Sequence, residues 1–433
     1  MHRAWQALAI VAILTTSACA SGQQPSTASR IASGSGRAGT VAPSRSNTQR
    51  VALRSAGTAT DPMSSDGCVH RAVALRYLVI LPPGTPQRIA RTRIAAACGA
   101  LASYYAPIAV AVATSGDPSF AAYLGPRQAY SAQAEALDDR GRPVKQDETQ
   151  SSGPGPDQRP ATTSVTAGAA LRGAPTADLR GQQWDMRMIG APAARRIEQG
   201  SSSVLVGVLD SGIDPAQPDL AHAMDAADSA GCVSGVPVRT PGAWEPSTSS
   251  HGTHVAGIIA AADDGLGITG VAPGVRVASV KVVDDSGYIY PAAAVCGLMW
   301  AAARHMTLTN NSYFVDPWLF TCPGTSGQNV IFTALRRAVR YARQRGVLSV
   351  AAAGNQEVDE SAPTTDAGSP DNAPSRDRSS RALYPGCAVL PAGLPGVVTV
   401  SAVDSAGLKA GYSGYGLGSI TVTAPGGSQG GAG

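Results

Sequence analysis

The run Leu205-Val206-Gly207-Val208-Leu209-Asp210-Ser211-Gly212 decides how this chain folds. A short apolar stretch closed by a turn-forming Ser-Gly reads as a strand buried on both faces, as in a parallel sheet. Asp210 then stands at the carboxyl end of that strand, and catalytic groups of open α/β sheets gather outside those ends. A carboxylate there accepts a hydrogen bond from an imidazole and fixes its tautomer. Read alone, the same residue is equally a turn or helix-cap Asp.

Downstream, His251-Gly252-Thr253-His254-Val255-Ala256-Gly257 opens a second segment of small residues. Ser249-Ser250 precede it, and Val255, Ile258 and Ile259 follow at helical spacing. The pattern predicts a buried helix that presents His251 to a cleft as a general base. His254 lies on the same side one turn later, which is how zinc pairs are arranged. Zinc helices, however, space their His four apart with a Glu between. Here the spacing is three and no Glu intervenes, so His254 reads as structural. A third apolar run, Val347 to Ala353, leads through Gly354 to Asn355. It reads as another strand ending at the same sheet edge, where a side-chain amide can donate to a developing oxyanion. In isolation an Asn after Gly is an ordinary turn.

In the order Asp, His, Asn, these segments resemble those of the subtilisin-like serine proteases, or subtilases. Further matches are Gln183-Trp184-Asp185-Met186, Ile189 to Pro192, Gly270 to Pro273, Val277 to Val283, Leu308 to Ser312, Tyr384-Pro385, Val397 to Val403 and Ala424-Pro425-Gly426. The resemblance implies an α/β fold with a doubly wound, mainly parallel sheet, preceded by a small ferredoxin-like α+β propeptide domain. It implies catalytic roles for Asp210, His251 and Asn355. It implies substrate contacts from Asn310, Ser312, Tyr313, Ala353 and Gly354. Tyr313-Phe314 replace the Leu-Gly usual in the family and so alter the pocket for the substrate side chain. The family's Gly-Thr-Ser-Met-Ala-x-Pro segment, which carries the nucleophile, does not occur. Gly324-Thr325-Ser326 is the only Gly-Thr-Ser, but it precedes Asn355 and lacks Met-Ala-x-Pro. The sequence thus reads as cut short in a Gly-rich loop. Two functions follow: a secreted serine endopeptidase zymogen, inactive as it stands, or a non-catalytic cell-surface protein that keeps a peptide-binding cleft. Retention of Asp210, His251 and Asn355 favours the first.

Arg3 and the short apolar run Ala7 to Leu14 form a secretory signal, too short to span a bilayer. Thr16-Ser17-Ala18-Cys19 resembles a bacterial lipoprotein cleavage box, which implies lipidation of Cys19 and a membrane anchor. Ordinary signal cleavage near Ala20 is the alternative. The expected organisation is a signal at 1–19, a Ser/Thr/Gly-rich tether at 20–67, an inhibitory propeptide at 68–150, a linker at 151–181 and the catalytic domain at 182–433. Within the propeptide, Arg76 to Leu81 and Ile108 to Val112 read as strands. Ile89 to Tyr105 reads as helical, and Pro118 to Leu124 as a short helix. Ser361 to Ser380 reads as a surface insertion.

A net charge of +4 over 433 residues does not argue for nucleic acid. The partners expected are polypeptide substrates and the chain's own propeptide, on a monomer at the cell surface or outside it. Seven cysteines in an exported chain leave Cys68 and Cys98 near the propeptide and Cys232, Cys296, Cys322 and Cys387 in the catalytic domain. Cys322 with Cys387 is the favoured pair, because both sit in loops flanking the Asn355 strand. No cofactor is required. Calcium is a common structural ion in the family, and the loop Ala262 to Gly267, with Asp264, suits a hard cation.

Overall fold

The computed structural model describes residues 67–69, 73–125, 127–135, 177–371 and 380–427. Cys19, the tether and linker residues 151–176 lie outside them. The described residues all belong to one compact unit. Its centre is a 7-stranded sheet in the order β13 (Val422–Pro425), β12 (Val397–Val403), β9 (Leu348–Ala352), β8 (Leu308–Asn311), β5 (Leu205–Asp210), β7 (Arg276–Lys281) and β6 (Ala230–Gly231). All its pairings are parallel.

Every residue of β5 is buried, which is why that segment is continuously apolar rather than alternating. Val206 and Val208 face one layer, with Ile213, Leu220, Ala256 and Ala260. Leu205 and Leu209 face the other, with helices α3 (Pro291–Ala303) and α4 (Gln328–Gln344). Helix α2 (His251–Ala260) lies on the first side. Its core-facing residues are Gly252, Ala256, Gly257 and Ala260, whereas Ile258 is exposed. The periodicity thus located the helix but not its inner face. Small residues take that face because the helix approaches the sheet closely: a Cβ on Gly252 would stand 2.4 Å from the Gly212 carbonyl oxygen. Since β7 pairs with one edge of β5 and β8 with the other, the strand order reverses at β5. Asp210 is its last residue, at the switch point where such sheets bind ligands.

The N-terminal part is a 4-stranded antiparallel sheet in the order β2 (Ala100–Tyr105), β3 (Val110–Ser115), β1 (Leu75–Ile80), β4 (Ala129–Tyr130). Helix α1 (Gln87–Ala96) and a short helix at Phe120–Leu124 complete a ferredoxin-like β-α-β-β-α-β chain order. The expected helix from Ile89 to Tyr105 therefore stops early, and its second half is β2. The break is local: Cys98 takes φ 67°, and a Cβ on Gly99 would stand 2.3 Å from the Phe120 ring. The edge strand that follows is half-buried along most of its length, and its Leu101, Tyr104 and Tyr105 fit a helical spacing as well as a strand. Alternation along β1 sends Tyr77 and Val79 toward α1 and Leu78 toward α3 and α4.

Polar contacts fix that docking. Arg337 of α4 donates to the Leu81 and Ile108 carbonyls at 3.0 Å each. Arg76 donates to Val233 O at 2.8 Å and Tyr105 to Gly235 O at 2.7 Å. Disulfides join Cys68 to Cys98, Cys232 to Cys296 and Cys322 to Cys387. Asp178 already bridges to Gly267, so the chain joins the α/β domain ahead of the expected boundary at Gln182.

The stretch read as a surface insertion supplies the buried Asp366 to an ion pair with Arg381, the residue just after it. β10 (Thr365–Asp366) and β11 (Arg381–Ala382) pair antiparallel. The Asp366 side chain is 0% exposed and accepts from Arg381 at 2.6 Å. Arg381 also donates to Phe320 O and lies 4.9 Å over the Trp318 ring. Removing one partner of such a pair strands a buried charge. Arg381→Ala should therefore lower stability by about 3–5 kcal/mol, read as a drop in Tm, and Arg381→Lys should recover only part of it because it loses the forked contact.

Candidate active site

Asp210 and His251 meet at the carboxyl end of β5. The Asp210 side chain is 3% exposed and that of His251 31%. The His251 Nδ1–H donates to Asp210 Oδ1 at 2.8 Å, and the Ser211 N–H donates to the same oxygen at 2.7 Å. Asp210 Oδ2 is buried and has no hydrogen-bond partner among the described residues. With Nδ1 held by the carboxylate, Nε2 is the nitrogen left to accept a proton.

The two motifs are laced together by their own small residues. Ser211 Oγ donates to Ser249 O at 3.1 Å and accepts from the Gly252 N–H at 3.0 Å. The Asp214 N–H donates to Thr253 Oγ1 at 2.9 Å. Gly212, at φ +105°, could carry no side chain, because a Cβ would stand 2.6 Å from the Glu245 backbone. The sequence reading treated Ser211 as a turn residue, and only the fold reveals it as the clamp. His254 is exposed and does not join the pair.

Hydrogen bonding to Asp210 and the charge of Asp210 raise the His251 pKa above its ordinary 6.5, against the opposing effect of burial. Tyr313, buried at 9% exposure, donates to Asn311 Oδ1 at 3.0 Å. Its hydroxyl pKa is raised first by burial and then by the nearby Asp210 charge. Its side chain thus belongs to the core beside the site.

Asn311, which the sequence reading passed over, is fully buried and ties β8 to β9 through Nδ2 to Val350 O at 2.9 Å. Asn310 Nδ2 donates to Ser312 Oγ at 2.8 Å. Beyond β9, Ala353 is buried and Gly354 takes φ +88°. Asn355 is exposed, and its side-chain amide makes no hydrogen bond among the described residues. The sheet order places the carboxyl ends of β5, β8 and β9 side by side, and with them Asp210, Ser312 and Asn355. Ser326 lies in the turn leading into α4, and no ring hydrogen bond of His251 reaches it.

Asp264 accepts from the Leu266 N–H at 3.0 Å. Its charge, after burial, helps raise the pKa of Asp219. Asp263 is instead paired with Arg180 at 3.0 Å.

Residues 201–433 match the family pattern of the peptidase S8 subtilases. The chain belongs to the subtilase family. It is 30% identical over 258 residues to fervidolysin of Fervidobacterium pennivorans, across 58% of this chain and 31% of that one. It is 33% identical over 243 residues to subtilisin amylosacchariticus of Bacillus subtilis subsp. amylosacchariticus, across 56% and 52%. The chain thus spans about half the length of such relatives, or less. Among solved structures, the epidermin leader peptide processing serine protease of Staphylococcus aureus superposes with a TM-score of 0.55 at 19% identity. That overlay covers 82% of this chain and 76% of the other, a larger share than residues 201–433 make up, and shows a shared fold.

Because the causes raising the His251 pKa both come from Asp210, Asp210→Asn should lower it. An NMR titration of the His251 ring should give a value above 6.5 in the wild type and a lower one in the variant. The sign for stability follows by linkage. A raised folded-state pKa stabilises fully below about pH 6.5 and loses that contribution as pH rises through the folded value. The Tm advantage of wild type over Asp210→Asn should accordingly shrink from pH 6 toward pH 9.

Proposed function

We propose that this subtilase is a secreted or cell-surface serine endopeptidase made as a zymogen, with His251 as general base and Asp210 as the carboxylate that orients it. The observation that carries the reading is the 2.8 Å hydrogen bond from His251 Nδ1 to the buried Asp210 at the switch point of the sheet. In acyl transfer a serine hydroxyl attacks the scissile carbonyl while His251 Nε2 removes its proton. The resulting imidazolium is stabilised by Asp210 and then protonates the leaving amine. The Asn355 amide donates to the oxyanion that forms. The nucleophile belongs to a Gly-Thr-Ser-Met-Ala-x-Pro segment, which residues 1–433 do not contain. The polypeptide of these residues alone therefore cannot form an acyl-enzyme.

In the same reading the N-terminal ferredoxin-like unit is the inhibitory propeptide. Its support is the apolar and polar docking on α3 and α4. The signal segment directs export, and Cys19 takes a lipid anchor. Calcium, a structural ion of this family, would fit Asp219 and Asp264: two carboxylates close enough to repel, with the His222 ring as the nearby cationic group that offsets the charge of Asp219. Bound there, a hard divalent cation would neutralise both charges and brace the loop that follows α2.

With the serine segment present, His251→Ala should abolish peptide hydrolysis. Asn355→Ala should cut kcat about 100-fold or more with little change in KM. Equal activity of the Asn355 variant would remove it from the oxyanion site. A fluorophosphonate probe should not label residues 1–433, and Ser326→Ala should change nothing. Calcium at a hundred times its Kd should add about 2.7 kcal/mol of stability, seen as a rise in Tm. Asp219→Asn should diminish that rise.

A further inference from the structure

Glu360 is a carboxylate that the peptidase machinery described above does not use. After Asn355 the chain doubles back and pairs with the loop at Tyr412–Tyr415. The Glu357 N–H donates to Tyr412 O at 2.8 Å, the Tyr415 N–H to Val358 O at 3.0 Å, and the Glu360 N–H to Tyr415 O at 2.7 Å. The Gly414 N–H donates to Gly354 O at 3.0 Å, so this loop is also bonded to the backbone that ends β9. Gly414 separates the two segments. A Cβ there would stand 2.3 Å from Ala353 O and 2.7 Å from Glu360 Oε1. Only glycine leaves room at this point for the Glu360 carboxylate on one side and the Ala353 carbonyl on the other.

The carboxylate is held there without a counter-charge. Oε1 is sealed from solvent and has no hydrogen-bond partner among the described residues, whereas Oε2 is not sealed. Lys409, on the paired loop, directs its ammonium to the carbonyls of Ala410, Gly411 and Ser413. Burial pushes the Glu360 pKa up to about 7. A half-desolvated acid without a partner is unfavourable by itself and calls for an explanation. A cation that arrives only with a ligand supplies one, because its ion pair forms where water has already been displaced.

We propose that Glu360 reads the substrate side chain on the acyl side of the scissile bond, the P1 residue, and that this enzyme prefers Lys or Arg there. The inference rests on the peptidase reading and on the substrate contacts that the family resemblance gives to Ala353 and Gly354. The ammonium or guanidinium would pass between those backbones and the β8 end and meet Glu360 Oε2.

The test uses the mature full-length enzyme and peptides that differ only at P1: Arg, Lys, norleucine or Glu. The wild type should cleave the Arg and Lys peptides with kcat/KM at least about 30-fold above norleucine, and Glu360→Gln should collapse that ratio. Glu360→Lys should favour the Glu peptide. As a readout independent of turnover, p-aminobenzamidine should bind the wild type competitively with the Arg peptide and bind Glu360→Gln at least about 30-fold more weakly. An active enzyme that shows no preference for basic P1, or keeps its preference in Glu360→Gln, overturns this inference and leaves the peptidase reading standing. Failure of the full-length enzyme to cleave any of the peptides overturns the peptidase reading and this inference with it.

Discussion

The Asp210 carboxylate is withdrawn from water, and its polar contacts run through one oxygen, to the Ser211 N–H and the His251 ring. A buried charge with so few partners holds its place only if the surrounding backbone cannot relax. The rest of the domain meets that demand. β5 is buried on both faces by α2 on one side and α3 with α4 on the other, so its last residue cannot shift without disturbing both layers. Gly212 and Gly252 let the two motif backbones touch. Ser211 then closes the contact with hydrogen bonds to both sides of the His251 turn.

The N-terminal unit uses the same helices from the other direction. Its sheet has one face on its own helix and one face on α3 and α4, and the half-buried Arg337 guanidinium gathers its carbonyls. Helices that cover the seven-stranded sheet therefore also offer the docking surface for the unit that precedes it. The pKa of Arg76, at the same seam, is lowered chiefly by its own burial. This seam is a packed interface rather than a loose tether.

Away from β5, charge is handled in contrasting ways. Asp366 is enclosed with Arg381 beside Trp318, so a stretch rich in Ser, Pro and Asp carries a folded core element. Glu360 is enclosed without a partner, next to the backbone that ends β9. The first arrangement stabilises a loop, whereas the second leaves a carboxylate without a counter-charge.

Much of the domain was legible in the residues themselves. An apolar run ending in Asp-Ser-Gly states a buried parallel strand with a carboxylate at its end, and a Gly-Thr-rich segment opened by His states a helix that must approach closely. Both readings rest on local constraints, burial period and backbone sterics, which a sequence carries directly. The limit is visible at Ile258, at β2 and at Ser361 to Ser380. Ile258 is apolar yet exposed, the Leu101, Tyr104 and Tyr105 of β2 fit a helical spacing as well as a strand, and the polar stretch hides Asp366. In each case the outcome depends on which distant backbone arrives alongside. The same holds for Ser211, Asn311 and Glu360. Their hydrogen bonds, or lack of them, come from segments distant in sequence, and only tertiary packing brings those segments within reach.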